Sequence, residues 1–534
     1  MEYIFYNGII LTMDGTEEPQ AVLVKDSYIA CIGTVRECRK MASVKVETID
    51  LDGNVLLPGF IDTHTHFFEY AKTFVAVDLS PAESVDDFRR ILVQYRANMP
   101  SGINWVGGSG WNKNIYPDLT GFNKHLLDEI FPDIPVSLES KDFHSKICNS
   151  LALERAGITR ETPDPAGGRI GRFPDGEPDG FTYEKAWELI DRVVPPYPEN
   201  IAKEAVKKAQ EECYRYGLTA IHSMENADKF ELYRKMIEEK DLKLRVCWHF
   251  PSNLLDEMIR NDVTSYSGGE LLKTGGMKIF MDGSLGSQSA WMYEPYDGTT
   301  LTGMPLLSES ELYNLVKRAA EHGISSTIHG IGDRCNHVIL SVIERVNKEL
   351  GSRLPHRIEH LQCIREEDYQ LINENNVYCA VQPVHIKADV QNIKKYWSHV
   401  EKNVYPLKSL LETGVTLGFG SDAPVETINP FEGVYAALER KYRNDPDEEG
   451  WQTEQCLGVM EAIRGYTIEA AKGSKSEELR GSITEGKLAD LIVIEELPGV
   501  ATNGKDYASW LVAETKLTMI NGEIVRNLLD VDED

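Results

Sequence analysis

The chain has 534 residues, too many for one compact core, so a large domain with a smaller companion is expected. Hydrophobic residues make up 42% and charged residues 26%, ordinary values for a soluble globular protein. A formal net charge of -29 argues against nucleic acid and anionic membrane as partners, because both call for a basic surface.

The nine cysteines are scattered, with no CxxC pair, which speaks against a zinc ribbon or a thioredoxin-like site and suits a reducing compartment. The opening Met1-Glu2-Tyr3-Ile4-Phe5 has no basic region leading into an apolar one, and no stretch is apolar for long enough to span a bilayer. A cytoplasmic protein acting on a small molecule is expected, with a homodimer as the default assembly.

The first 55 or so residues read as short strands. Tyr3-Ile4-Phe5-Tyr6 runs into Asn7-Gly8, a hairpin-turn dipeptide, and then into Ile9-Ile10-Leu11-Thr12. The last 55 look alike: Leu488 to Ile494 and Lys516 to Val525 are strand-like, the second broken by Asn521-Gly522. The economical reading is one small β-domain built from 1–57 and 478–534, with 58–477 inserted between. The acidic end, Asp530-Val531-Asp532-Glu533-Asp534, reads as a frayed terminus.

The middle alternates strand and helix. Strand cores are expected at 60–66, 135–141, 218–223, 276–281, 324–329, 356–361, 377–383 and 415–421, with helical patterns over 201–216, 309–321, 334–350 and 430–440. Eight such units imply a closed parallel (β/α)8 barrel, which needs about 250 residues. The surplus falls within about 80–200, a Gly-, Pro- and Trp-containing stretch expected to form a lobe near the barrel mouth.

Phe60-Ile61-Asp62-Thr63-His64-Thr65-His66 ends the first strand. Side chains alternate along a strand, so His64 and His66 point the same way, towards where a metal would sit at the C-terminal mouth. Lys278 lies among apolar residues of the fourth strand, an unusual place for an ammonium. It is a snorkelling or paired lysine, or a carboxylated one able to bridge metals. His329 and His360 close the next two strands, and Asp422 closes the last. Singly, each reads as an ordinary strand-end or turn residue. Together, nitrogen and oxygen donors without thiolate suit zinc or another divalent first-row ion.

In or beside these positions run the motifs Leu57-Pro58-Gly59-Phe60-Ile61-Asp62-Thr63-His64-Thr65-His66, Asp282-Gly283-Ser284-Leu285-Gly286-Ser287 (just after Lys278), His329-Gly330-Ile331-Gly332-Asp333-Arg334, Arg357-Ile358-Glu359-His360 and Gly420-Ser421-Asp422-Ala423-Pro424. In these motifs the chain resembles the amidohydrolase superfamily, in its amidohydrolase-3 branch, which includes N-substituted formamide deformylase. The resemblance implies a (β/α)8 barrel with a composite β-sandwich. It also implies one ion held by His64, His66 and Asp422, a second held by His329 and His360, and Lys278, carboxylated by carbon dioxide, between them. Hydroxide formed from bound water would attack an amide carbonyl, with Asp422 carrying the proton to the leaving amine.

His144, after the second expected strand, and His222, ending the third, are candidates for binding substrate or an oxyanion, as are Gln382 and His385 after the seventh. Trp111 is a candidate pocket wall. Asp282 is expected to organise its turn rather than do chemistry. Hydrolysis of an N-acyl or N-formyl amine is the leading expectation. A lactone, a carbamate or an aminated heterocycle would use the same site. The superfamily's mononuclear deaminases typically carry a glutamate where this chain has Gly332, which weighs against deamination. A metal-free, noncatalytic binding protein would be expected to have lost ligands that are all present here.

Overall fold

In the computed structural model, residues 1–15, 19–141, 144–351, 354–441, 449–496, 499 and 507–529 are described, so the acidic end from Asp530 lies outside them. The chain forms two units, one of Met1–Phe67 with Gln210–Asp534 and one of Phe68–Ala209. Among the described residues, no helix is long and apolar enough to cross a membrane.

Both ends of the chain meet in the first unit. One sheet runs Tyr28–Gly33, Ala21–Lys25, Glu2–Tyr6, Glu47–Asp50. A second runs Ile9–Ile10, Val55–Pro58, Leu491–Ile494, Thr515–Ile520, Glu523–Asn527, taking strands from both termini. Alternating residues of the two sheets, among them Phe5, Val22, Val24, Leu56, Leu491, Val493 and Leu517, share one core. The Asn521-Gly522 turn has φ of 55° and 73°, the left-handed pair that a tight hairpin requires.

The barrel strands are β1 (Phe60–Thr65), β2 (Leu218–Met224), β3 (Arg245–Pro251), β4 (Leu272–Phe280), β5 (Ser326–Gly330), β6 (Arg357–His360), β7 (Tyr378–Val381) and β8 (Leu417–Phe419). Each pairs in parallel with the next, and they form one eight-stranded sheet. The two ends of that sheet approach each other: the Asp422 amide donates to the His64 carbonyl at 2.7 Å, and the His66 amide to the Ala423 carbonyl at 2.9 Å. Helices Glu309–Glu321 and Asp333–Leu350 bury their apolar stripes, as the sequence pattern predicts.

One expected barrel strand is misplaced. Val136–Ser140, inside the 135–141 core, belongs to the six-stranded sheet of the second unit, and Arg245–Pro251 takes its place in the barrel. Arg245 and His249 break the apolar run at the level of sequence, yet both are buried. Their partners are distant. The Arg245 guanidinium donates to the Asp490 carboxylate at 2.6 and 2.9 Å and so ties the barrel to the terminal sheet. Asp490→Ala removes the buried carboxylate and leaves that guanidinium only Asn521 at 3.1 Å and the Glu270 carboxylate at 4.0 Å. It is expected to cost about 3–5 kcal/mol, read as a fall in the urea midpoint with the secondary structure otherwise retained.

Candidate metal centre

His64, His66, Lys278, His329, His360 and Asp422 come from five different strand ends and converge. Ring centroids lie 5.6 Å apart for His64–His66, 4.9 Å for His64–His360 and 4.6 Å for His329–His360. Asp422 Oδ1 is 3.4 Å from His64 Nε2 and 3.3 Å from His66 Nε2. His360 and Asp422 have φ of 74° and 59°, left-handed values that side chains adopt at a cost. Such a φ ends the strand alternation. Arg357 and Glu359 share the inward face, and His360 is turned out of that register towards the other imidazoles.

Proton placement separates ligands from ordinary buried histidines. His64 Nδ1 meets the Glu359 carboxylate, His66 Nδ1 meets the Met224 carbonyl at 3.0 Å, and His360 Nδ1 meets Gln382 Oε1 at 2.8 Å. Each partner accepts, so each Nδ1 carries the proton and Nε2 keeps a lone pair. His329 is reversed: its Nε2 donates to the Gly283 carbonyl at 3.1 Å, which leaves the lone pair on Nδ1. Burial pushes His64 and His329 down to about 4 and holds His360 well below its ordinary value, so all three are neutral near pH 7. Among the described residues, His64 Nε2, Lys278 Nζ and Asp422 Oδ1 are buried without a hydrogen-bond partner. Lone pairs facing a carboxylate oxygen across 3.3–3.4 Å repel unless a cation lies between them. The donor set therefore fits a divalent metal.

Burial lowers the Lys278 ammonium to about 8, against the pull of Glu359 and Asp422, so a neutral amine is accessible. Phe280, half exposed, lies beside Lys278 and His329, with ring centroids 5.4 Å apart in the latter pair.

A second cluster, His222, Cys247 and His249, could hold a metal by proximity alone. A fixed cation already stands against it. The Arg357 guanidinium, which can only donate, lies 2.9 Å from His222 Nδ1 and 3.5 Å from His249 Nε2, and the Gly276 amide donates to His249 Nδ1 at 3.0 Å. Burial raises the Cys247 thiol to about 11. A metal ion there would meet a protonated thiol and the charge of Arg357.

The remaining predicted residues divide. His222 is fully buried against Arg357 on β2, the second barrel strand rather than the third. Gln382 is buried and holds His360. His385 stacks 6.3 Å from His360 and donates to the Ser421 carbonyl at 3.3 Å. Trp111 and His144 belong to the second unit. Trp111 is fully buried there, donates to the Leu138 carbonyl and packs on Phe122 and Phe181. His144 is exposed beside Glu184 at 3.2 Å. Asp282 accepts the amides of Trp291, Ile331 and Gly332, organising its loop as expected.

Three buried groups had not been singled out from the sequence: Arg357, Glu359 and Asp62. Asp62 accepts the amides of His64 and Ser421 and so fastens the β1 and β8 ends together. A Cβ on Gly420 would come within 2.6 Å of the His64 nitrogen, so only glycine permits this approach. A Cβ on Gly332 would lie 2.1 Å from the Trp291 carbonyl oxygen, which leaves no room for a deaminase-like glutamate. The signal for Arg357 and Glu359 was available: two opposite charges at period two on one face of a barrel strand.

Residues 47–526 match the family described as "Amidohydrolase family". YtcJ of Bacillus subtilis (strain 168), a protein named as an amidohydrolase, is 32% identical over 98% of this chain and 99% of its own. The N-substituted formamide deformylase of Arthrobacter pascens is 29% identical over 94% of this chain and 95% of its own. Among solved structures, an uncharacterized metal-dependent hydrolase from Pyrococcus furiosus superposes with a TM-score of 0.79 at 24% identity. It covers 93% of this chain and 99% of its own, a likeness of fold.

Proposed function

The chain belongs to the amidohydrolase family, and from that premise we propose that it hydrolyses the carbon–nitrogen bond of an N-acyl or N-formyl amine at the strand ends just described. The observation that carries the reading is the convergence of His64 Nε2, His66 Nε2 and Asp422 Oδ1. The deformylase named above supports the choice of bond. The tight packing at Gly332 weighs against a mononuclear deaminase.

His64, His66 and Asp422 would hold one divalent ion and His329 and His360 a second, with Lys278 between. Zinc suits the nitrogen and oxygen donors. When bound, such an ion supplies an activated water and polarises a carbonyl oxygen. The neutral Lys278 amine can add carbon dioxide: an N–C bond forms, the nitrogen loses a proton to solvent, and a carbamate anion results. Asp422 accepts a proton from water at a carboxylate oxygen and returns it to the departing nitrogen. Without that proton the nitrogen would leave as an amide anion, a far poorer leaving group. Gln382, the Met224 carbonyl and Glu359 hold the imidazoles in their tautomers throughout. Phe280 offers an apolar contact to a substituent on the substrate.

The test is amine release from a panel of N-formyl, N-acetyl and longer N-acyl amines by zinc-reconstituted protein. Equal release of amine and carboxylic acid, abolished by a chelator and restored by zinc, is the expected result. Protein that retains metal yet releases amine from no member of the panel would move the substrate to lactones, carbamates or aminated heterocycles.

A further inference from the structure

We propose that Arg357 and Glu359 are positioning residues, which together fix the backbone and ring of His64 so that its Nε2 faces the metal. The inference rests on the metal-centre reading above and adds residues to it. Both side chains project from β6 into the barrel interior and are fully buried. A buried ion pair is a doubtful source of stability, because desolvating two charges offsets their attraction. Its place in the fold points to another use.

One guanidinium makes contacts in three directions. Its Nε and Nη2 donate to the Glu359 carboxylate at 2.5 and 3.1 Å. Its Nη2 also donates to the Thr63 carbonyl at 2.7 Å, next to His64 in β1. Its Nη1 donates to His222 Nδ1 at 2.9 Å, closing the side away from Glu359. The Glu359 oxygen Oε2 then receives the His64 Nδ1 proton. Arg357 therefore holds the strand that carries His64, and Glu359 holds the ring.

The chemistry requires an anion at Glu359. A carboxylate only accepts, so it admits a single tautomer of His64, the one with its lone pair on Nε2. Glutamine keeps the shape but presents an amide NH2 either to the Arg357 donors or to His64 Nδ1. In the first case donor faces donor. In the second, His64 must move its proton to Nε2, the atom needed for the metal.

Glu359→Gln is expected to weaken zinc binding by about 10–100-fold, read by competition with a chromophoric chelator at fixed pH. Glu359→Asp, which keeps the charge, is expected to recover most of that affinity. The far-UV spectrum of both metal-free variants should match the wild type. Wild-type zinc affinity in a folded Glu359→Gln protein would overturn the proposal, as would a Glu359→Asp protein no better than Glu359→Gln. If neither variant folds, nitrogen-15 spectra of histidine-labelled, metal-free wild type decide the matter. His64, assigned by its loss in His64→Ala, should be the Nδ1–H tautomer, and an Nε2–H tautomer would refute the role. A wild type that takes up no zinc would defeat the metal centre itself, while the tautomer measurement would still judge the pair.

Discussion

Asp422→Asn lowers kcat by about 10²–10⁴-fold, the range a positioned acid–base group contributes, while zinc content stays above half that of the wild type. The asparagine keeps an oxygen where Asp422 Oδ1 lies between His64 and His66, so part of the ligand field survives. It cannot take a proton from water or return one to nitrogen. The expected signature is a loss in kcat much larger than the loss in metal. It should be greatest for amides whose amines are most basic, because their departure depends most on protonation. Stopped assays across the panel, with metal measured on the same samples, provide the check. Near-normal kcat with normal zinc would remove Asp422 as the proton carrier and leave it a ligand only.

Lys278→Ala is expected to have an effect of comparable size, by a different route. Its amine is buried without a hydrogen-bond partner among the described residues, close to Glu359 and Asp422, where a bare ammonium is poorly solvated. As a carbamate it would supply an anionic bridge. Alanine removes that bridge and is expected to cut the zinc retained after dialysis by about half or more and kcat by roughly 10³-fold. The carbamate reading adds a second measurement on the wild type. Metal-free protein reconstituted with zinc in carbon-dioxide-depleted buffer should regain less activity than the same protein given bicarbonate. Equal recovery, together with a fully active Lys278→Ala, would show that the lysine bridges nothing.

The six ligand-type residues were legible because strand ends and period-two alternation are local properties. His64 and His66 share a direction for that reason alone, and Lys278 stands out because an ammonium within an apolar strand is costly. The composite β-domain was legible because Asn-Gly turns and short apolar runs recur at both termini. Arg245–Pro251 was not legible as a barrel strand, because what makes Arg245 tolerable inside it is Asp490, 245 residues away. The strand at Val136–Ser140 was assigned to the wrong sheet for the related reason that strand propensity does not say which neighbour a strand will find.

The sequence by itself determined which atoms could bind a metal and that they would gather at one end of a barrel. Only the tertiary structure decided which of those atoms hold a lone pair. A histidine's proton goes to whichever ring nitrogen meets an acceptor, and that acceptor is set by folding. Glu359 takes the proton of His64 across 295 positions of chain, and Gln382 takes that of His360 across 22. His222 and His249 are histidines of the same kind, on neighbouring strands of the same barrel. Arg357 donates to His222 Nδ1 and lies 3.5 Å from His249 Nε2, and the Gly276 amide donates to His249 Nδ1, so a fixed cation and a backbone donor already occupy lone pairs that a metal would need.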